Sequence, residues 1–312
     1  MNQSRALPSV PSLVGEIRES SSLAALVARR KAFRALHERG CFVIPNPWDV
    51  GSARYLQRLG FPALATTSAG FAFSHGLPDS GDDVVSRDRT LTHIASITAA
   101  VDLPVSADFM SGYGLEPEDV AESVARCVAT GVAGLSIEDA TGDPISPLYD
   151  LPIAIERVRA AREAIDRSGD DVLLTARAEC YHVGHPDPFP ESVRRLQAYA
   201  AAGADVLFAP GVQNPAEIKA LAEAVAPRPV NLLVVRDIGL RVDEIAALGV
   251  RRISVGGALA LAAWTGFIRA AQILRSEGSF AGLAGLVPYA EINGLFATDL
   301  LSQVELPPLD LT

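Results

Sequence analysis

Eight short apolar runs alternate with helical patterns along most of the chain, and this alternation limits the possible folds more than any other feature. Near-continuous apolar strands separated by helices are typical of a parallel sheet that is covered on both faces. Eight such repeats predict an α/β fold in which the sheet closes into a (β/α)8 barrel, an architecture of about 250 residues. The runs lie at residues 41–44, 63–66, 105–108, 134–138, 172–177, 206–209, 230–235 and 252–256.

The intervening helices carry recognisable start and stop signals, most clearly at residues 117–130. Pro117 suits the first helical position, and the acidic residues around it suit the positive end of the helix dipole. Gly131 then follows the last turn, where a glycine commonly ends a helix. Similar patterns predict further helices at residues 153–167, 190–202, 214–226, 242–248 and 258–275.

An open, doubly wound sheet is the structural competitor of the barrel. Its first strand-to-helix turn would carry a glycine-rich phosphate-binding sequence. Here that turn is residues 45–51, which read Pro-Asn-Pro-Trp-Asp-Val-Gly, and the chain contains neither GxGxxG nor GxxxxGK[ST]. The sequence therefore favours the barrel.

Composition divides the chain into three predicted parts. Residues 1–22 are rich in Ser and Pro and are expected to form a flexible N-terminal arm. Residues 23–278 hold the barrel repeats, and residues 279–312 form an apolar, helix-capable tail. That much apolar sequence beyond a closed barrel predicts a contact with another subunit.

Charge and cysteine content exclude several classes of function. The chain has 27 Lys and Arg against 37 Asp and Glu, without a basic run, so no nucleic-acid partner is expected. Its apolar stretches are too short to span a bilayer, and its N-terminus has no apolar signal segment, which predicts a cytoplasmic protein without a membrane partner. Three widely spaced cysteines form neither a disulfide framework nor a paired zinc ribbon.

Lysine is the rarest of the charged residues. Lys31 and Lys219 are the two lysines of the chain, and neither follows a predicted strand. Schiff-base and pyridoxal phosphate chemistry needs a lysine amine inside the pocket, so both are disfavoured.

Three charged residues end neighbouring predicted strands, at the edge of a barrel where catalysis takes place. Asp108, Glu138 and Arg177 end the third, fourth and fifth strands. Two acids and an arginine suit a hard cation such as Mg²⁺ together with a carboxylate or enolate. Alternatively, the acids cap the following turns or pair with the arginine.

Other polar residues near strand ends have weaker signals. The Thr67-Ser68-Ala69 sequence suits either a tight turn or an oxyanion site built from backbone N–H groups. Asn46 and Asp49 are expected to cap the first barrel helix. The spacing of Cys180, His182 and His185 matches no common zinc pattern.

Five motifs together resemble the isocitrate lyase and phosphoenolpyruvate mutase superfamily, in the order that the family has them. The resemblance extends over residues 33–278, and sequences at 46–49, 65–70, 209–211 and 251–256 resemble the branch named simply as isocitrate lyase/phosphoenolpyruvate mutase family proteins. The five motifs are Gly-Leu-Pro-Asp at 76–79, Pro-Val-Ser-Ala-Asp at 104–108, Ser-Gly-Tyr-Gly at 111–114, Gly-Val-Ala-Gly-Leu-Ser-Ile-Glu-Asp at 131–139 and Thr-Ala-Arg-Ala-Glu at 175–179.

The resemblance implies a barrel whose eighth helix is swapped between subunits, in a homotetramer built from two such dimers. It also implies Mg²⁺ near Asp108 and Glu138 and a substrate carboxylate on Arg177. Members make or break C–C or C–P bonds beside a 2-oxo acid through an enolate, whose charge the metal and the arginine stabilise. The other implied or candidate site residues are Thr67, Ser68, Ala69, Glu179 and Asn231 for substrate binding, and Asp79 and Tyr113 for proton transfer.

Two departures from the family pattern affect the expected chemistry. Met110 occupies the position of a second acid on strand three, and a thioether is a poor ligand for Mg²⁺. The loop at 140–150 lacks the Lys-Lys-Cys-Gly-His sequence of the isocitrate lyases and the lysine of phosphonopyruvate-processing members. Asp143, Tyr149 or Asp150 could replace the missing acid or base, or the segment is simply a proline-rich turn.

The sequence therefore predicts a carbon–carbon lyase or decarboxylase that acts on a small 2-oxo- or hydroxy-carboxylate through an Mg²⁺-stabilised enolate. A P–C mutase or hydrolase of phosphonopyruvate type is one alternative. A non-catalytic or repurposed barrel that binds an organic acid is the other.

Overall fold

A computed structural model of the protein, which describes residues 10–80 and 84–303, contains one sheet of eight parallel strands. The strand order is β1-β8-β7-β6-β5-β4-β3-β2, and a hydrogen bond from Ala65 N to Pro45 O (3.1 Å) joins the two ends. The predicted (β/α)8 barrel is confirmed. The strands are β1 (Phe42–Ile44), β2 (Leu64–Ala65), β3 (Val105–Asp108), β4 (Gly134–Glu138), β5 (Leu173–Arg177), β6 (Val206–Phe208), β7 (Val230–Leu233) and β8 (Arg252–Ser254).

Helices separate the strands as the periodicity predicts. In α5, a proline at the first position and acidic residues in the first turn start the helix, and one face of valines and Cys127 is buried against the sheet. The helices are α1 (Val10–Leu36), α2 (Val50–Arg58), α3 (Ser68–Ser74), α4 (Arg87–Ala100), α5 (Pro117–Val128), α6 (Leu151–Ser168), α7 (Pro188–Ala201), α8 (Pro215–Ala224) and α9 (Val242–Ala247), followed by α10 (Ala258–Glu277) and α11 (Tyr289–Gln303).

Strand register brings the functional side chains to one end of the barrel. Asp108 lies opposite Ser136 on β4, and Glu138 lies opposite Arg177 on β5. Because every strand is parallel, these residues share the carboxyl edge of the sheet. The pairing of the strands alone therefore places the residues of the predicted charged cluster next to one another.

The interior of this barrel is unusually polar. Large branched aliphatic side chains normally fill the centre of such a barrel. Here serine, asparagine and arginine side chains line an internal cavity instead. The polar members are Asn46, Thr66, Ser106, Ser136, Asn231, Arg252 and Ser254.

The chain divides into two compact units, the first ending at Gly257 and the second starting at Ala258. The second unit contains α10, a 3-10 turn at Ala281–Leu283 and α11. The sequence places the boundary at residue 278 because it counts α10 as the eighth barrel helix. The assignment of 23–278 as the barrel and 279–312 as a tail stays a prediction, and residues 304–312 lie outside the described residues.

The N-terminal arm predicted for residues 1–22 also stays a prediction. Residues 1–9 lie outside the described residues, and α1 begins at Val10. Within residues 10–80 and 84–303, no helix is both long enough and apolar enough to cross a membrane.

Candidate active site

Arg177 is the centre of an ion-pair cluster at the carboxyl edge of β3, β4 and β5. Its Nη1 atom lies 3.0 Å from Glu138 Oε2 and 3.6 Å from Asp108 Oδ1, and its Nε atom contacts Glu179 Oε1. The side chains of Asp108, Glu138 and Arg177 are each less than one-fifth exposed. Low exposure strengthens these charge interactions because water screens them poorly.

The carboxylate of Asp108 is hydrogen-bonded through one oxygen, whereas the other oxygen has only the longer ion-pair contact with Arg177. Its Oδ2 atom accepts a hydrogen bond from Ser68 N (2.9 Å), and its own N–H donates to Thr66 Oγ1 (2.9 Å). Within the described part of the chain, the buried Oδ1 atom receives no hydrogen bond. A buried carboxylate oxygen in this state is suited to a cation.

Glu179 is held by a second layer of buried groups. Its N–H donates to Asp139 Oδ1 (2.8 Å), whose Oδ2 accepts from the hydroxyl of Tyr199 (2.5 Å) and from Arg195 Nη1 (3.1 Å). On the cleft side, Glu179 Oε2 lies 2.9 Å from His182 Nδ1. The network fixes the glutamate and orients the imidazole ring at the same time.

Charge compensation sets the protonation states of this cluster. Burial disfavours the charged guanidinium of Arg177, but Glu138, Glu179 and Asp108 outweigh burial and raise its pKa. Burial would raise the pKa of Glu179, yet Arg177 and His182 hold that pKa below its usual range. Arg177 and Glu179 are therefore both charged at neutral pH.

Asp79 lies beside the cluster with a different electrostatic balance. Its residue surface is exposed at the cleft. Desolvation by neighbouring atoms and repulsion from Asp108 raise its pKa, and these effects exceed the opposing effects of Ser68 and Arg177. An acid with a raised pKa is better able to carry a proton near neutrality, which is the role predicted for Asp79.

The cluster separates an inner cavity from an outer cleft. The inner cavity, of about 200 Å³, extends into the barrel interior and is lined by Asp108, Arg177 and Arg252. The outer cleft, of about 1190 Å³, is lined by Glu138, Arg177 and Glu179. The volume of the inner cavity suits a small ligand, and Ser68, Asp79, Arg177 and His182 line both the cavity and the cleft.

The donor chemistry of the site fits a hard divalent cation. Asp108 and Glu138 offer carboxylate oxygens, and Mg²⁺ is usually held by one or two carboxylates and several waters. Asp108, Glu138 and Glu179 contact Arg177 and Asp79 lies nearby, so acids outnumber the arginine in this cluster. Residues 10–80 and 84–303 contain no preassembled group of three His, Cys, Asp or Glu ligands, and Met110 lines the outer cleft.

The predicted oxyanion turn forms the start of α3. The Ser68 N–H is already bonded to Asp108, and the Gly70 N–H donates to Thr67 Oγ1 (3.2 Å). Ala69 lies in the first helical turn, where the helix itself supplies no acceptor for its N–H. The oxyanion role stays a prediction, and it applies best to Ala69.

The remaining predicted site residues lie in two places. Tyr113 lines the outer cleft, and its hydroxyl lies 2.8 Å from Thr90 Oγ1. Asn231 lies in the barrel interior, where its Oδ1 accepts from Arg252 Nε (2.8 Å) and its Nδ2 donates to Ser254 Oγ (2.9 Å). Asn231 and Arg252 therefore both line the inner cavity.

Asn46 does not cap the first barrel helix as the sequence predicts. Its Nδ2 donates to Thr66 O (2.9 Å), and its Oδ1 accepts from Val255 N and Gly256 N (2.9 and 2.8 Å). The side chain thus ties the ends of three strands together, because it is buried and faces the seam of the barrel. Asp49 does cap α2, with its carboxylate accepting from Ser52 N (2.7 Å).

The loop at 140–150 forms a compact turn beside the outer cleft. Asp143 Oδ1 accepts from Ile145 N (2.8 Å) within the loop, and the ring of Tyr149 packs against the Arg157 guanidinium. Asp150 precedes the first residue of α6. Asp143 and Tyr149 line the outer cleft, so both stay candidates for an acid or base.

Sequence reasoning missed two residues of this site. The spacing of His182 suggests at most a zinc ligand, whereas the structure places this residue on both cavities beside Glu179. The sequence indicates only a strand at Arg252, although Arg252 and Ser254 are two residues apart and therefore share the inner face of β8. The polar alternation in β8 was the available signal.

The fold and the site together define a (β/α)8 barrel with an acidic cleft at the carboxyl edge of its strands. The model of the family described as phosphoenolpyruvate phosphomutase matches residues 33–275. The chain belongs to this family, which confirms the superfamily resemblance of the motifs.

Curated relatives include proteins that act on small organic acids. An uncharacterised protein of Mycobacterium tuberculosis is 33% identical over 84% of this chain and 95% of its own length. The 2-methylisocitrate lyase of Escherichia coli is 32% identical over 62% of this chain and 66% of its own length. The oxaloacetate decarboxylase of Bradyrhizobium diazoefficiens is 30% identical over 64% and 69%.

Solved structures show the same architecture. A Burkholderia cenocepacia protein assigned as a lyase or mutase is 47% identical, with a TM-score of 0.83 over 88% of this chain and 97% of that one. The 2,3-dimethylmalate lyase, of the same superfamily, is 27% identical, with a TM-score of 0.77 over 89% and 96%. Oxaloacetate acetylhydrolase with its product oxalate is 27% identical, with a TM-score of 0.77 over 89% and 98%.

Proposed function

We propose that this protein is a carbon–carbon lyase or decarboxylase that acts on a small 2-oxo- or hydroxy-carboxylate through an enolate. The observation that carries the proposal is the cluster in which Arg177 meets Asp108, Glu138 and Glu179 at the inner cavity. The named relatives that cleave or decarboxylate organic acids support the same reaction class.

The residues of the chain supply distinct parts of this chemistry. Arg177 presents a permanent cation to a substrate carboxylate. Asp108 and Glu138 would hold Mg²⁺, which when bound supplies positive charge opposite the developing enolate oxygen. Asp79, Tyr113 and the residues of the α3 turn lie around the same space, where they can move a proton or donate hydrogen bonds.

The loop at 140–150 favours C–C over P–C chemistry. A transferring phosphoryl or phosphonyl group needs cations around its oxygens. The loop contains no Lys or Arg, and the side chains of Thr141 and Asp143 bond within the loop itself. Phosphorus NMR of phosphonopyruvate incubated with the protein should therefore show no rearrangement or hydrolysis.

The direct test of the proposed site is the binding of oxalate, a mimic of the pyruvate enolate. Calorimetric titration of the wild-type protein should show oxalate binding that requires Mg²⁺. Asp108→Ala should weaken that binding by about tenfold or more, because it removes a charged ligand and the acceptor of the Ser68 N–H. Glu163→Ala, at an exposed acid on α6, is the matched control.

Two results would contradict the proposal. Absence of oxalate binding with and without Mg²⁺ would mean that the enolate site is lost and would support an organic-acid-binding barrel of another kind. Equal Mg²⁺-dependent binding by the wild type and by Asp108→Ala would remove Asp108 from the site.

We further propose that the protein is a homotetramer of dimers that exchange α10, as the family resemblance implies. Support comes from the apolar side chains that α10 leaves exposed in the single chain. The larger ones are Leu261, Trp264, Phe267, Ile268 and Leu274. Exposed apolar patches of this kind mark protein contacts.

A further inference from the structure

Arg252 is a buried cation that has no carboxylate partner among the residues that the structure describes. Its residue surface is 5% exposed, and the described residues contain no carboxylate in ion-pair contact with it. Burial lowers its pKa to about 9, so the guanidinium remains charged at neutral pH. An isolated buried charge is costly, and proteins normally pair it.

All three hydrogen-bond partners of Arg252 are neutral. Nε donates to Asn231 Oδ1 (2.8 Å), Nη2 donates to Thr175 Oγ1 (3.0 Å), and Nη1 lies 3.4 Å from His37 Nε2. His37 is neutral because burial and the charge of Arg252 lower its pKa to about 3. Three contacts use three of the five N–H donors of a guanidinium.

The inner cavity provides space for the missing anion. Arg252, Asn231 and Ser254 line this cavity together with Arg177. The two ends of the cavity therefore differ in charge. Acids outnumber the arginine around Arg177, whereas the guanidinium of Arg252, deeper in the barrel, has no described acid beside it. A ligand that carries negative charge at its inner end would complete the hydrogen bonding and the charge balance of Arg252.

Strand β5 relates the positions of the two arginines. Arg252 bonds to Thr175, which precedes Arg177 by two residues on β5 and faces the same interior. Two residues along a strand span about 7 Å. Since the two arginines contact β5 two residues apart, we expect a four-carbon dicarboxylate to be long enough to place one carboxylate near each guanidinium.

We propose that Arg252, Asn231 and Ser254 form a carboxylate-binding subsite at the floor of the inner cavity, with Thr175 holding Arg252 in place, and that the substrate is a dicarboxylate. This inference rests on the proposed function, since it assigns the second carboxylate of the acid whose reacting end lies near Arg177. The subsite binds the anion, and the chemistry takes place at the carboxyl edge of the strands.

The test compares two unreactive four-carbon ligands of different charge, succinate and butyrate. Calorimetric titration should show that wild-type protein binds succinate about tenfold or more tightly than butyrate, the gain of a charge-assisted pair. Arg252→Gln should reduce this preference to about threefold or less. Arg251→Gln is the matched control, because the neighbouring arginine points its Nη1 to Gly40 O outside the cavity and its loss changes the net charge equally.

Oxalate separates failure of this inference from failure of the proposed function. Oxalate is too short to reach both arginines, so its Mg²⁺-dependent binding should be retained in Arg252→Gln. If oxalate does not bind to the wild type, the proposed function fails, while the dependence of succinate binding on Arg252 is still measured independently.

Several outcomes would overturn the subsite. These are an equal affinity of the wild type for succinate and butyrate, a preference that survives in Arg252→Gln, and a preference lost equally in Arg251→Gln. Arg252-dependent binding of chloride without any preference for succinate would identify a site for free ions and would also overturn it. If Arg252→Gln does not fold, the melting temperature of the wild type is measured with each ligand at equal ionic strength. The proposal requires that succinate raise this temperature more than butyrate does, and equal shifts would overturn it.

Discussion

At the scale of single residues, the two buried arginines show opposite solutions to one physical problem. Arg177 is surrounded by carboxylates whose combined attraction exceeds the cost of its burial. Arg252 bonds to neutral groups in the described part of the chain, and burial lowers its pKa. The excess of acids around Arg177 is suited to binding a cation. The positive charge of Arg252 is suited to binding an anion. Both arrangements occur within one cavity.

Met110 is the residue expected to limit the affinity for metal. Its backbone has φ of 50°, a left-handed conformation that aspartate adopts more readily than most residues. Met110→Asp should therefore fit the backbone and add a hard anionic ligand, and calorimetry should show an Mg²⁺ affinity raised by about tenfold. Met110→Asn is the control with equal backbone tolerance and no charge, and an equal gain in that variant would contradict the explanation.

His37 should make the protein sensitive to mild acid. Its folded-state pKa of about 3 lies below the unfolded value of 6.5, so the unfolded chain binds more protons between these values. The stability contributed by neutral His37 is complete above pH 6.5 and is lost as the pH falls toward 3.

Chemical unfolding across this pH range measures the effect. His37→Gln should remove up to about 1.4 kcal/mol per pH unit from the slope of the unfolding free energy, because glutamine does not titrate. The same slope in the wild type and the variant would show that His37 is not the titrating group.

At the scale of elements, the loop between β3 and α5 combines close packing with unusual backbone. Met110, Gly112 and Tyr113 all have positive φ. Two of them are not glycine, and such residues often lie at functional sites. The loop also supplies Met110 and Tyr113 to the outer cleft. Its shape therefore decides where these side chains meet a substrate.

Gly114 allows this loop to approach the start of α5. A Cβ atom at Gly114 would lie 2.5 Å from Asp119 Cβ and 2.7 Å from Val120 N. Only a shift of the backbone could relieve these steric clashes. Gly114→Ala should lower the free energy of unfolding by about 1–3 kcal/mol, the usual cost of overpacking. Denaturant unfolding measures this loss.

The control for this prediction is a glycine in open space. Gly266→Ala, within α10, meets nothing within 4 Å and should leave stability unchanged or raise it by up to about 1 kcal/mol. Equal effects of the two substitutions would show that the packing at Gly114 is not tight.

At the scale of the whole molecule, the chain exposes an apolar helix that a single copy does not cover. Phe267 is 61% exposed on α10, and Trp264 contacts it edge to face at 5.4 Å between ring centroids. Exposed aromatic side chains of this kind mark protein contacts. The proposed exchange of α10 between subunits would bury them.

Phe267→Asp should disrupt this assembly, because burying an unpaired carboxylate opposes association. Sedimentation should show a tetramer for the wild type and a shift to smaller species for the variant. Thr265→Asp adds the same charge at an exposed position of the same helix and should shift the equilibrium less. A monomeric wild-type protein, or an unchanged Phe267→Asp assembly, would contradict the proposal.

The sequence by itself determined the eight strands, the alternating helices and the acidic residues that end β3 and β4. These features are local, since apolar periodicity and capping residues act over a few positions. The motifs around Asp108, Glu138 and Arg177 also determined the family, which the match over residues 33–275 confirms.

Tertiary structure alone decided which side chains meet in the barrel interior. The register of β7 with β8 places Asn231 opposite Arg252, and Thr175 reaches the same guanidinium from β5. Asn46 ties strand ends that lie far apart in sequence. Such contacts depend on barrel closure and strand register, which local patterns do not specify, so a polar interior with an unpaired cation could be found only in the folded molecule.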